Sequence, residues 1–393
     1  MEKISVRDYN LVLNVTSVPQ KPAGAGRYVY ELAKAAAGSR DVTLFLCARK
    51  NDTERWLNLM PDSGHNRIFS VSPAAKPARM FYEEFLLSRS VKKITGESPE
   101  LSRNLVLHGP HYTIPSLPGV AKVSTVHDLT LVEHREWHEP AKALYFGRAL
   151  RQAVKRAQAL ICPSEYSAQK LLDIFKPKCP VVVARHGVDF NLFYPSNPES
   201  SRRDKDLLES LGISRRYVLH VGTLEPRKNI PLLIRAFDVV ADSDKDLFLL
   251  LAGGDGWRME SIDRALKDAR HKDRIKKLGY VSDAAVAALL RKAAAVCYPS
   301  AEEGFGLPAA EALACGAPLV TTAGSAMAEI VGGSALLISR DSRDELAEAI
   351  TEQLAGGSTV TSRRQTGLEL ASNFTWEKSL KSHLKAYGLA LGG

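Results

Sequence analysis

Nowhere in the 393 residues does an apolar run approach the ~20 needed to cross a bilayer. The opening MEKISVRDYNLVLNV carries acids and no apolar segment leading to a small-residue cleavage site, so a cytoplasmic chain without a secretory leader is expected. Cysteine is scarce. The five residues Cys47, Cys162, Cys179, Cys297 and Cys315 are odd in number and show no C-x-x-C spacing, which argues for reduced, packed thiols over a disulfide framework or thiolate metal site. No acidic D-x-D pair or histidine cluster stands out as a divalent-metal site. The basic residues are not interleaved with aromatics in a stacking motif, so nucleic acid is not an expected partner.

What is present describes an ordinary globular chain, 45% hydrophobic and 25% charged. Its length exceeds one core and predicts two domains. The net charge of +9 lies wholly in residues 1–190, which hold 27 Lys+Arg against 18 Asp+Glu, while the remainder holds 26 of each. A basic half suits anionic lipid head groups or a phosphorylated acceptor; solvated surface charge accounts for it equally well.

Short apolar runs alternate with helical stretches. LVLNVTSV (Leu11–Val18) reads as a strand, GRYVYELAKAAAG as a helix ended by Gly38, and VTLFLCA as a second strand. NLVLHG, KVSTVHD, ALICPS and PVVVARHG continue the pattern. Continuous β-branched runs separated by helices imply a parallel sheet covered on both faces. The polar stretch DFNLFYPSNPESSRRDKD breaks the pattern and reads as a linker, giving domains 1–190 and 191–372. YVLHVGT, LFLLLAGG, IKKLGYV, AVCYPS, PLVTT and ALLIS then mark a second α/β domain. Residues 373–393 read as a basic amphipathic helix expected to pack back on a domain, the N-terminal one being the candidate, with a basic face touching a membrane as the alternative. Two doubly wound Rossmann-like domains facing each other across a cleft are the expected fold, with ligands at the strand C-terminal edges.

Two stretches carry chemistry. In YPSAEEGFGLPAAEALACGAPLVTT, a strand ends near Ser300, the turn Glu303-Gly304-Phe305-Gly306-Leu307 follows, and Pro308 sits where a helix starts. Free N–H groups and a helix N-terminus make an anion site, yet Glu303 and Glu311 border it. Carboxylates accept hydrogen bonds from vicinal hydroxyls, so the stretch reads as a grip for a sugar nucleotide. In GTLEPRKNIPLLIRAF, Arg227 and Lys228 precede a helix with Asn229 as its N-cap. Two cations at a strand end neutralise a leaving diphosphate without a metal.

PRKN and EEGFGLPAAEALACGAPLV, with its Glu-x7-Glu spacing, resemble the retaining family-4 glycosyltransferases of the GT-B fold, and the likeness spans nearly the whole chain. The resemblance implies that Glu311 binds the nucleotide ribose and that Glu303 lies beside the donor sugar. It implies that the Gly304, Phe305, Gly306 and Leu307 backbones face the sugar and diphosphate, that Arg227 and Lys228 hold the diphosphate, and that Val281 lies near the base. KPAGAGRYVYELAKA resembles the family's first glycine-rich loop, with Gly24 and Gly26 at the donor phosphate or acceptor. Its spacing is not G-x-G-x-x-G, because Val29 holds the last position, which argues against a nicotinamide enzyme. His127 matches a family histidine near the donor sugar, making His127, Glu303, Arg227 and Lys228 the candidate catalytic set. His108, His111, Tyr112 and Trp137 are assigned to the acceptor side. The implied reaction moves a hexose, mannose from GDP-mannose being favoured, to a glycan or lipid-linked acceptor, with no cofactor or metal. Contact with the inner face of an anionic membrane would suit the basic half. Other nucleotide-hexose donors, a phosphorylase or epimerase, and a non-catalytic sugar-nucleotide binder are the alternatives.

Overall fold

A computed structural model describes residues 9–20, 22, 24–60, 66–73, 82–96 and 103–392. Residues 1–8, and Lys21 and Ala23 of the first glycine-rich stretch, lie outside the described residues. The chain divides into two compact units, one of Met1–Glu133, Pro140–His186 and Trp376–Gly393, the other of His134–Glu139 and Gly187–Thr375.

Among the described residues unit 1 has seven strands: β1 (Tyr9–Asn14), β2 (Val42–Arg49), β3 (Arg67–Ser72), β4 (Leu105–Gly109), β5 (Ala121–Thr125), β6 (Ala159–Cys162) and β7 (Val181–Val183). All pair in parallel in the order β3-β2-β1-β4-β5-β6-β7. The first strand is shorter than the apolar run Leu11–Val18 suggests, because the chain turns after Asn14, whose Oδ1 accepts from Thr16 N and Oγ1. Helix Ala25–Gly38 turns Tyr28, Val29, Leu32, Ala33, Ala36 and Ala37 to the sheet at helical spacing. The C-terminal helix Trp376–Leu391 joins the same core through Trp376, Leu380, Ala386, Tyr387 and Ala390.

Unit 2 repeats the plan with β8 (Tyr217–Val221), β9 (Phe248–Ala252), β10 (Ile275–Gly279), β11 (Ala295–Tyr298), β12 (Leu319–Thr322) and β13 (Leu336–Ile338). These strands are also parallel, in the order β10-β9-β8-β11-β12-β13. Leu249, Leu250 and Leu251 are all buried, as a strand covered on both faces requires.

The second half of the stretch read as a linker lies in a helix, Pro198–Ser210. Asn197 Oδ1 accepts from Ser200 N at 2.8 Å and Ser200 Oγ accepts from Asn197 N at 2.9 Å, closing a capping box ahead of Pro198. Arg291 grips Asp204 with two hydrogen bonds of 2.7 and 2.6 Å, both side chains buried. Removing one partner of such a buried pair costs about 3–5 kcal/mol. A helix held by a cap and an ion pair leaves little apolar periodicity to read.

Strand order reverses between β1 and β4 in one unit and between β8 and β11 in the other. Loops leaving such switch points carry ligands in doubly wound sheets. Among the described residues no helix is long and apolar enough to cross a membrane.

Candidate functional site

The loop after β8 holds Gly222 to Lys228 and ends in a 3-10 turn, Pro226–Lys228. It is fixed from below by the loop after β9: Gly222 N donates to Ala252 O at 2.9 Å, Leu224 N to Gly254 O at 3.0 Å, and Gly256 N to Leu224 O at 2.9 Å. The AGGDGW stretch is thus the bed on which the two cations rest. Asn229 does not cap the next helix through its side chain. Its backbone is left-handed, φ 51°, and its amide donates to Asp341 Oδ1 at 2.9 Å instead. Neighbouring Ala301 N donates to Arg227 O at 2.8 Å, tying this loop to the one after β11.

That second loop leads into helix Leu307–Ala314, with Pro308 in its first turn. Gly306 sets the entry angle with φ 94°. Phe305 anchors the turn edge-on against Phe374, ring centroids 5.9 Å apart. Glu303 and Glu311 are both buried.

Arg227 Nη1 contacts Glu303 Oε2 at 2.6 Å and donates to Glu302 O at 3.3 Å, while its Nε meets Glu225 Oε1 at 2.5 Å. The Lys228 ammonium donates to Glu303 Oε1. Burial alone would raise the Glu303 carboxyl; the adjacent Arg227 and Lys228 charges and their hydrogen bonds outweigh it and hold the group at about 2. Arg340 pairs with Glu302 at 3.1 Å and donates to Ala301 O.

Sequence reasoning missed three buried polar groups here. His220, on β8, donates from Nδ1 to Cys297 O at 2.9 Å, and burial lowers its pKa to about 4, so it is neutral. Among the described residues its Nε2, the Tyr298 hydroxyl and the Ser300 hydroxyl have no hydrogen-bond partner. The His220 and Tyr298 rings meet edge-on at 5.5 Å. A histidine inside the apolar run YVLHV was the available signal. Val281, assigned to the base, is partly buried and packs on the core that includes Phe305.

In unit 1 the ends of β4 and β5 bring together His111, Tyr112 and His127. His127 Nε2 donates to Pro110 O at 2.8 Å, leaving Nδ1 as the acceptor of a neutral ring. Its ring lies 5.0 Å from Tyr28, 5.3 Å from His111 and 6.1 Å from Tyr112. Burial lowers its pKa, opposed by the Pro110 hydrogen bond. Tyr112 has φ 61°, a left-handed backbone that a bulky residue adopts only under constraint.

Three assignments need correction. His108 does not line a surface: it is fully buried, with Nδ1 on Tyr387 Oη at 2.9 Å and Nε2 on Thr125 Oγ1 at 2.8 Å. Trp137 falls in unit 2, where its carbonyl accepts from the Trp257 indole and its ring stacks on His134 at 3.9 Å. Gly26 stands not in a loop but in the first turn of helix Ala25–Gly38, where a Cβ would lie 3.1 Å from Pro19 Cδ.

Residues 22–192 match the family Glycosyltransferase Family 4, and residues 205–367 match Glycosyl transferases group 1. O-antigen chain mannosyltransferase B of Escherichia coli is 26% identical over 374 residues, covering 93% of this chain and 96% of that protein. The chain is a glycosyltransferase of the GT-B fold. The two family matches and this relative support a family-4 glycosyltransferase. D-inositol 3-phosphate glycosyltransferase of Mycobacteroides abscessus is 30% identical to this glycosyltransferase over 283 residues, 70% of this chain and 61% of that one. Sucrose-phosphate synthase from Thermosynechococcus elongatus superposes with a TM-score of 0.75 at 22% identity, over 98% of this chain and 100% of that one. Anabaena HepE, in complex with UDP and glucose, superposes with a TM-score of 0.71 at 18% identity, over 97% and 99%. At these identities the two solved structures speak for the fold alone.

Proposed function

We propose that the enzyme transfers a hexose from a nucleoside diphosphate sugar to an acceptor hydroxyl with retention of anomeric configuration and without a metal. The observation that carries this reading is the meeting of Arg227, Lys228 and Glu303 beside the Gly304–Leu307 turn, on two loops that leave the β8/β11 switch point. Arg227 and Lys228 stabilise the charge that develops on the departing diphosphate. The turn's N–H groups and the N-terminus of helix Leu307–Ala314 take phosphate oxygens. Glu303 accepts from sugar hydroxyls, and Glu311 from the ribose. His127, neutral, offers Nδ1 as an acceptor for a substrate hydroxyl.

The bond from the anomeric carbon to phosphate oxygen breaks with its electron pair going to the phosphate. The acceptor oxygen bonds to the same face, and its proton passes to a phosphate oxygen.

GDP-mannose is the favoured donor, on the likeness to the O-antigen mannosyltransferase, and a glycan or lipid-linked saccharide the acceptor, bound by unit 1. Helix Pro140–Arg156 has no acidic residue and exposes Leu144 among Lys142, Arg148, Arg151 and Lys155, a surface fit for anionic lipid at the inner face of a membrane. Nucleoside diphosphate release from GDP-mannose, UDP-glucose and UDP-GlcNAc, with and without saccharide acceptors, tests the function. Release that depends on acceptor and is fastest with GDP-mannose is expected; nucleotide binding without release across the acceptor panel refutes a transferase.

A further inference from the structure

The cations assigned to the diphosphate are already engaged. Both oxygens of Glu303 are taken, one by Arg227 at 2.6 Å and the other by Lys228. Around them stand Glu225 and Glu302, both buried, with Arg340 as the third cation. Three cations are therefore paired with three carboxylates, and the cluster has no surplus positive charge with which to attract an anion. A diphosphate that takes Arg227 and Lys228 must take them from Glu303. Stripped of both partners, a buried carboxylate is strongly destabilised unless new donors reach it.

A donor sugar supplies such donors, because hexose hydroxyls hydrogen-bond to an ionised carboxylate. The bare nucleoside diphosphate has no hydroxyl at that end. We infer that Glu303 determines the site's preference for a sugar nucleotide over the bare nucleoside diphosphate, by competing with the diphosphate for Arg227 and Lys228 and yielding them only when sugar hydroxyls take their place. The inference rests on the donor reading above and adds a direction to the cycle. Before transfer the hexose keeps Glu303 satisfied and the diphosphate holds the cations. Once the hexose has left, Glu303 reclaims them, and the product nucleotide is released.

Calorimetric titration of GDP, UDP, GDP-mannose and UDP-glucose into the wild type, Glu303→Gln and Glu303→Asp tests this. Gln cannot hold two cations as a charge, so Glu303→Gln binds the bare diphosphate about tenfold or more tightly than the wild type, and the wild-type preference for the sugar nucleotide shrinks. Glu303→Asp keeps the charge but reaches less far, so its affinity for the bare diphosphate falls between the two. It also keeps the buried charge balance, so the order remains measurable should the Gln variant fold poorly. Equal or weaker diphosphate binding by both variants overturns the inference while leaving the donor reading intact. No nucleotide binding by any of the three proteins overturns the donor reading and this inference with it.

Discussion

Substituting Gly306 by alanine tests whether the turn beside the cations is fixed by geometry. Gly306 has φ 94°, where an L side chain is strained, at a cost of about 1–2 kcal/mol. The added Cβ would lie 2.5 Å from Met327 Cγ and 3.3 Å from its Cε, and Met327 is fully buried. Forcing a buried neighbour aside in this way costs a further 1–3 kcal/mol or so. The sum is about 2–5 kcal/mol for Gly306→Ala. Gly324 provides the control: its φ is 67°, and a Cβ there meets nothing within 4 Å, so Gly324→Ala loses only the backbone part, about 1–2 kcal/mol. Urea unfolding of both variants, followed by a probe in unit 2, reads the difference. Measured in a Met327→Ala background, Gly306→Ala should cost only the backbone part, since the packing part appears as the coupling in the double-mutant cycle. Equal stabilities for Gly306→Ala and Gly324→Ala would refute the claim that Met327 closes the turn from beneath.

Lys228→Ala should lower turnover at least ~10-fold, because Lys228 stabilises leaving-group charge; Glu311→Ala should chiefly weaken donor binding, and calorimetry against steady-state kinetics separates the two effects. Activity should survive EDTA; complete loss restored by Mn²⁺ or Mg²⁺ would contradict a leaving group neutralised by side chains alone. His383 is fully buried between Tyr28 Oη at 2.8 Å and Ser379 O at 2.7 Å, and burial lowers its pKa to about 4. Its folded pKa lies below the unfolded value, so the unfolded state takes the proton first. Stability is full above about pH 6.5 and is lost as pH falls toward 4, by about 2 kcal/mol between pH 7 and 5 for this group. Unfolding measured at both pH values should show a smaller drop in His383→Gln.

The alternation of apolar runs and helical periods made both sheets legible, because parallel strands buried on two faces leave continuous apolar runs. The loops that carry Arg227, Lys228 and Glu303 were legible as turns after strands, and the structure brings those three charges together. The helix Pro198–Ser210 was not, because its stabilisation comes from a capping box and the Asp204–Arg291 pair rather than an apolar face. His108 was misplaced for a related reason: a sequence does not reveal that Tyr387, 279 residues later, supplies its hydrogen bond. His220 and Tyr298 went unread because residues buried inside strands look like core. That Glu303 holds both cations also required coordinates, since spacing along the chain does not bring two loops together.

The most direct test of the account is a crystal structure of the enzyme with its nucleotide sugar bound. The account predicts the diphosphate within hydrogen-bond distance of Lys228 Nζ and the Gly304–Leu307 amides, with Glu303 turned from Lys228 to the sugar hydroxyls. A nucleotide bound away from these two loops, or a diphosphate seated while Glu303 still holds both cations, would contradict it.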